Sequence, residues 1–263
     1  MRADIYLTTF GYTESRQKAS TYIKNGIVTI DSRKILKPSE EVDEKTEHSV
    51  CLELSESDAF VSRGALKLKA AIDAFDLNVK NKICIDIGAS TGGFTDCLLS
   101  KGATKVYAYD SGKNQLPQKL ACDSRVISKE GFNARFITYD DVGELADVVV
   151  MDVSFISQTL IIPNIPHLLK DTGFFISLVK PQFEAGKQAL GKNGIVKNRG
   201  DKLAAIERVS NSANEVGLSP VGIISSPIKG GDGNEEFLIY FVKEKVDENK
   251  LTEFKLSARN LVK

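Results

Sequence analysis

The 263-residue chain has no Cys-x-x-Cys pair and only two histidines. A zinc site of closely spaced thiolates and imidazoles is therefore excluded, and no metal is expected. Of the four cysteines (Cys51, Cys84, Cys97 and Cys122), Cys84 and Cys97 stand in apolar segments and read as small core residues. No apolar run approaches the roughly 18 residues that a membrane-spanning helix needs. The opening MRADIYLTTF also lacks the apolar centre of a secretory leader. A reducing, cytoplasmic setting is expected, without stable membrane association. Nor is there surplus charge, since 35 Lys and Arg balance 35 Asp and Glu. Affinity for a polyanion such as nucleic acid must then come from local patches. No internal repeat or low-complexity tract stands out.

What is present is ordinary in bulk and uneven in detail. Hydrophobic residues make up 42% and charged residues 27%, a globular balance, and the length fits one large domain or a domain with a small partner. Residues 1–37 hold seven Lys or Arg against three Asp or Glu, net +4, whereas residues 38–60 hold one Lys against eight acids, net −7. A small basic unit followed by an acidic strip suggests a separate front domain over residues 1–60, with polar Ser55–Asp58 as linker. In that unit Ser15 is placed as the N-cap of a helix to about Asn25, carrying Arg16, Lys18 and Lys24. Gly26 ends it, Ile27–Ile30 alternates as a strand, and Asp31-Ser32 makes a turn before Arg33 and Lys34. So few residues build a marginal core, which suits a binding module better than an enzyme.

This front segment, RADIYLTTFGYTESRQKASTYIKNGIVTID, resembles the RNA-binding domain first described in ribosomal protein S-four, with Arg2, Ser15, Arg16, Ala19, Ile23, Gly26 and Val28 at the motif positions. The resemblance implies contacts to structured RNA through phosphate and shape. Arg2, Ser15, Arg16, Lys18 and Lys24, with Arg63 at the head of the next domain, form the expected RNA-binding set.

Residues 61–263 alternate apolar strands with helices. A helix is expected over Gly64–Phe75, a strand over 82–87, a helix over Gly93–Ser100, and strands over Lys105–Tyr109, Val126–Ser128, Asp147–Asp152 and Phe174–Val179. A helix over Lys202–Val216 and strands 221–225 and 237–242 follow. The pattern predicts an α/β class, a doubly wound, Rossmann-like, mostly parallel sheet. A glycine-rich loop without a helix joins the last two strands, which predicts an antiparallel edge.

After the first of these strands stands DIGASTGGFTD, Asp86-x-Gly88-x-x-x-Gly92-Gly93. It is neither the dinucleotide Gly-x-Gly-x-x-Gly nor the phosphate loop Gly-x4-Gly-Lys-Ser/Thr. A pyrophosphate wants a tight turn that aims amides at anionic oxygens. A longer turn headed by an acid suits a ligand with a cationic amino-acid end and a nucleoside end, as in S-adenosylmethionine. Asp110 ends the next strand, 22 residues after Gly88, where a carboxylate accepts hydrogen bonds from ribose hydroxyls. Asp86, Gly88, Ala89, Ser90, Thr91, Gly92, Gly93, Phe94 and Asp110 are the expected donor-contact residues, with Asn133 in GFNARF placed against the adenine.

In a doubly wound fold the chemistry lies outside the carboxyl ends of the strands. Two charges follow very apolar strands there, Asp152 in VVVMDVSFIS and Lys180 in FFISLVKPQFE, and two more stand in SRGALKL (Lys67) and IKGGDGNEEFL (Glu236). Lys67, Asp152, Lys180 and Glu236 together resemble the Lys-Asp-Lys-Glu tetrad of FtsJ/RrmJ-type ribose 2′-O-methyltransferases. More narrowly, five motifs in order across about residues 2–242 resemble the TlyA family, which joins that catalytic fold to an S-four-type domain. The resemblance implies methylation of a cytidine ribose in ribosomal RNA, 16S, 23S or both, within ribosomal subunits. It departs from the family pattern at Ser111 and Asn114 after the second strand, and at Asn193, Lys197 and Asn198.

A 2′-hydroxyl is a poor nucleophile, so the reacting atoms must be aligned and proton loss assisted. Lys180 acts either as a base, neutral through burial and the nearby Lys67, or as an ammonium that steers the hydroxyl lone pair; Asp152 and Glu236 favour the second. Asp152 orients Lys180, Glu236 positions the hydroxyl or Lys180, and Lys67 holds the nucleotide. Rival readings are a non-catalytic RNA-binding assembly factor and, from the haemolysin name carried by the family, a membrane-active protein. Leu251, Phe254, Ala258 and Leu261 recur at helical spacing in the tail, and are expected to pack on the protein and not on a membrane.

Overall fold

The computed structural model describes residues 1–54 and 60–262, and the expected linker Ser55–Asp58 lies outside the described residues. The chain divides into two compact units, Met1–Ala59 and Phe60–Lys263.

In the first unit, helices α1 (Ala3–Thr9) and α2 (Arg16–Lys24) pack on a three-stranded antiparallel sheet of β1 (Val28–Ile30), β2 (Arg33–Lys34) and β3 (Val50–Leu52), in the order β2-β1-β3. Leu7, Ala19, Ile23, Val28 and Ile35 are fully buried and form its centre. The Ser15 side chain accepts the Lys18 amide at 3.2 Å and starts α2. β3 lies inside the acidic strip, which is therefore structural in part. His48, in the same strip, contacts Asp31 Oδ2 at 2.5 Å and the Asp43 carbonyl at 2.8 Å. The Asp31 carboxylate holds the imidazole above its usual range.

The second unit carries a seven-stranded sheet in the order β6-β5-β4-β7-β8-β10-β9. Its helices and strands in chain order are α3 (Gly64–Ala74), β4 (Ile83–Ile87), α4 (Gly93–Ser100), β5 (Lys105–Asp110), α5 (Gln118–Ala121), β6 (Val126–Glu130), α6 (Tyr139–Val142), β7 (Ala146–Met151), α7 (Ile165–Leu168), β8 (Leu169–Val179), α8 (Pro181–Glu184), α9 (Arg199–Glu215), β9 (Ser219–Ser225), β10 (Phe237–Val242) and α10 (Glu248–Leu261). Strands β6, β5, β4, β7 and β8 pair in parallel, and β10 runs antiparallel between β8 and β9.

Both faces of the central strands are covered, because side chains alternate across a strand. Cys84, Val148, Val150, Ile176 and Leu238 join Leu68, Ile72, Phe94 and Leu98 of α3 and α4 on one face. Ile85, Ile87, Val149, Met151, Phe175 and Ile239 join Ile206 and Val209 of α9 and Phe254 and Ala258 of α10 on the other. The tail stripe is thus largely buried, with Leu251 and Leu261 half-buried at its edge. Among the described residues no helix is long and apolar enough to cross a membrane.

Three strand limits in this unit differ from the sequence expectation by two residues or more. β6 runs on to Glu130 because its backbone pairs with β5 through Asp110, although Ile127, Ser128 and Lys129 face solvent. β8 starts at Leu169, where Lys-Asp-Thr-Gly looks like a turn but pairs irregularly with the start of β7. β9 starts at Ser219, two residues before the expected 221.

Candidate active site

Sheet register assembles the charged cluster. Ile87 pairs with Met151, so Gly88 and Asp152 leave adjacent strands together, and the Asp152 amide donates to the Ile87 carbonyl at 2.9 Å. A Cβ at Gly88 would stand 2.4 Å from the Asp152 carbonyl oxygen, and its φ of +87° is itself a glycine conformation. Val179 pairs with Phe237 in the antiparallel ladder, so Lys180 and Glu236 are the next facing positions at the same end of the sheet. Lys67, on the second turn of α3, reaches that end from a neighbouring helix.

The four side chains form two ion pairs. Lys67 Nζ lies 2.5 Å from Glu236 Oε2, across 169 residues of sequence, with both groups buried. Lys180 Nζ lies 2.6 Å from Asp152 Oδ1, and it donates a hydrogen bond to Ser154 Oγ at 2.8 Å. The contact to Asp152 Oδ1 is an ion pair, and that oxygen is buried. Gly230, in the loop before β10, leaves the space that Glu236 uses, since a Cβ there would come within 2.5 Å of Glu236 Oε1.

The glycine turn is fastened to β5. The Gly88 and Ala89 amides donate to the Tyr109 carbonyl at 2.8 and 3.0 Å. Asp110 accepts the Ser90 amide at 2.9 Å on one oxygen and the Gly112 amide at 2.6 Å on the other. Each oxygen retains a second lone pair, so a ribose diol can still be accepted. Ser90 and Thr91 are exposed, and Gly92 and Gly93 lead into α4. Asn133 is exposed beyond β6, where its side chain caps the Arg135 amide at 3.1 Å. Glu130, absent from the expected set, accepts the Asn114, Gln115 and Leu116 amides and so shapes the loop after β5. Those amides hold its carboxyl below the usual range.

Asp86 and Phe94, two of the expected donor-contact residues, have buried side chains. Asp86 is fully buried beneath the turn, where Thr95 Oγ1 donates to its Oδ2 at 2.7 Å while Oδ1 has no hydrogen-bond partner. Burial, with Asp152 and Asp110 nearby, pushes its pKa up to about 7. The Phe94 ring lies in the core with Leu68 and Leu98, which leaves only its backbone to the turn. Both point inward because a strand end and a helix start must each bury one face. Sequence reasoning also missed Phe155, whose ring is 91% exposed, three residues after Asp152. Its φ of +63° is costly for an aromatic residue, and its ring stands 5.1 Å from that of Phe183. An aromatic residue within DVSF was its only signal.

In the first unit, Arg2 grips Asp4 with two hydrogen bonds at 3.0 and 3.1 Å, and Arg16 donates to the same carboxylate at 2.7 Å. Burial works to raise the Asp4 carboxyl, but these hydrogen bonds outweigh it and hold it low. The two guanidinium groups stay about half exposed, aimed and still open to a phosphate. Lys18 pairs with Glu14 at 3.4 Å and lies over the Tyr22 ring, and Lys24 is exposed at the end of α2. Arg63, in the second unit, is exposed at the start of α3, one turn before Lys67.

Residues 60–243 match the family described as FtsJ-like methyltransferase. The 16S/23S rRNA (cytidine-2′-O)-methyltransferase TlyA of Mycobacterium tuberculosis is 39% identical over 239 residues, 91% of this chain and 88% of that protein. Hemolysin A of Brachyspira hyodysenteriae is 42% identical over 246 residues, 92% of this chain and all of that protein. A solved structure of a haemolysin-named protein from Streptococcus thermophilus superposes with a TM-score of 0.73 at 39% identity, covering 99% of this chain and 95% of that one.

Proposed function

Because this chain belongs to the FtsJ-like methyltransferase family, in its TlyA branch, we propose that it methylates the ribose 2′-hydroxyl of a cytidine in ribosomal RNA, with S-adenosylmethionine as donor. The observation that carries this reading is the convergence of Lys67, Asp152, Lys180 and Glu236 at the carboxyl end of the sheet, beside the glycine turn.

The residues present fit the donor. The turn from Gly88 to Gly93 and the Asp110 carboxylate, whose oxygens each keep a second lone pair, would hold its amino-acid and ribose ends. When bound, the donor supplies an electrophilic methyl group on a sulfonium centre. The chain's own residues then prepare the hydroxyl. Lys180 is fixed between Asp152 and Ser154, so its ammonium directs a remaining N–H to the 2′-oxygen and turns a lone pair toward the methyl. Asp152 holds that ammonium in place, and the hydroxyl proton leaves to solvent as the oxygen–carbon bond forms and the methyl's bond to sulfur breaks. Lys67, neutralised by Glu236, steadies the nucleotide without adding a bare buried charge.

Phe155 offers the target nucleotide a stacking surface next to Ser154. The first unit holds structured RNA through Arg2, Arg16, Lys18 and Lys24. Nucleoside analysis of treated ribosomal RNA tests the reading, with 2′-O-methylcytidine expected. A methyl group found on the base would contradict it.

A further inference from the structure

We propose that Glu184 is a positioning residue for the Asp152–Lys180 pair, a buried carboxylate that ties together the two loops from which that pair projects; this rests on the methyltransferase reading. Glu184 closes α8, four residues after Lys180, and is fully buried apart from a trace. Its Oε1 accepts the Gln158 amide at 2.8 Å and its Oε2 accepts Ser157 Oγ at 2.6 Å. The Gln158 side chain continues the link, donating to the Leu178 carbonyl at 2.6 Å and accepting from Ser177 Oγ at 2.5 Å. The segment after Asp152 is therefore joined to β8 just before Lys180 and to α8 just after it.

The consequence follows from where the anchors lie. Between Asp152, held by the Ile87 carbonyl, and Ser157, held by Glu184, stand only Val153, Ser154, Phe155 and Ile156. That short span carries the hydroxyl that Lys180 bonds and the strained backbone of Phe155. Strain of this kind persists only where both flanks are fixed. Removing Glu184 leaves the buried Gln158 amide without its acceptor, leaves Ser157 Oγ with Thr159 alone, and releases one flank. Burial raises the Glu184 pKa against the pull of these two hydrogen bonds, as is usual for a carboxylate kept inside by its partners. A glutamine keeps both contacts, since its oxygen can accept the amide and its NH2 can donate to the serine oxygen.

Full-length wild type, Glu184→Gln, Glu184→Ala and Ser157→Ala are compared in methyl transfer to undermodified ribosomal subunits, and in hydrogen exchange of residues 152–160. Glu184→Ala is expected to lower kcat about tenfold or more, with the donor KM within about twofold, and to speed exchange in the segment. Glu184→Gln should recover most of both, and Ser157→Ala should shift both less, carrying the test if Glu184→Ala does not fold. Wild-type kcat in folded Glu184→Ala overturns the proposal, and so does unchanged exchange. Absence of transfer by the wild type overturns the methyltransferase reading instead, and exchange alone then decides the role of Glu184.

Discussion

At the scale of single residues, the site depends on charges held in unusual places. Asp86 is the clearest case, since its buried carboxyl titrates at about 7, against about 4 in an unfolded chain. Between those values the folded state binds a proton that the unfolded state has lost, so the contribution of this group to stability is fully present below about pH 4 and is lost as pH rises through about 7. Asp86→Asn keeps an acceptor for Thr95 and removes the titrating carboxyl. The thermal midpoint of the variant relative to the wild type should rise between about pH 4 and 7, read by calorimetry; an equal slope in both proteins would count against a protonated Asp86. Phe155 is the second case. Phe155→Ala should weaken binding to undermodified ribosomal subunits by about 1–3 kcal/mol, the usual worth of one stacked base, and leave donor affinity unchanged in titration calorimetry. Equal subunit affinity would show that the ring serves another purpose.

At the scale of elements, the turn between β4 and α4 is limited by its neighbour as much as by its own glycines. In Gly88→Ala the new methyl carbon would meet the Asp152 carbonyl at 2.4 Å in a left-handed backbone conformation. A loss of about 1–3 kcal/mol or more is expected in a denaturant midpoint, together with weaker donor binding. Much of this region was legible in the sequence. β4 and β7 are buried on both faces and read as apolar runs interrupted by one acid each, and Asp152 and Lys180 stand out because a charge follows the apolar ends of β7 and β8. β6 was read short because an edge strand facing water lacks an apolar pattern. β3 escaped notice because Val-Cys-Leu is brief and sits in the acidic strip. Glu130, Glu184 and Phe155 were illegible for a different reason. Their roles depend on partners 14 to 28 residues away, and no local spacing announces those contacts.

At the scale of the whole molecule, formal neutrality conceals a division of charge. The basic set Arg2, Arg16, Lys18 and Lys24 belongs to the first unit, and the four charges of the candidate active site belong to the second. Substitutions in the first should therefore change RNA affinity and leave the donor site alone. Arg16→Ala combined with Lys24→Ala is expected to weaken subunit binding and to flatten its log–log salt dependence by about one to two contacts, with donor affinity unchanged. An unaltered salt slope would place the RNA-binding charges elsewhere.

The central claim is that Lys180, paired with Asp152, prepares a ribose hydroxyl for methyl transfer. It is tested most directly by following labelled methyl from S-adenosylmethionine into separated, undermodified ribosomal subunits, with Lys180→Ala alongside. The expected result is label on one or both subunits that survives removal of the bases, and none with the variant, which still binds the donor. Full transfer by Lys180→Ala, or no transfer by a wild type that binds the donor, would contradict the account.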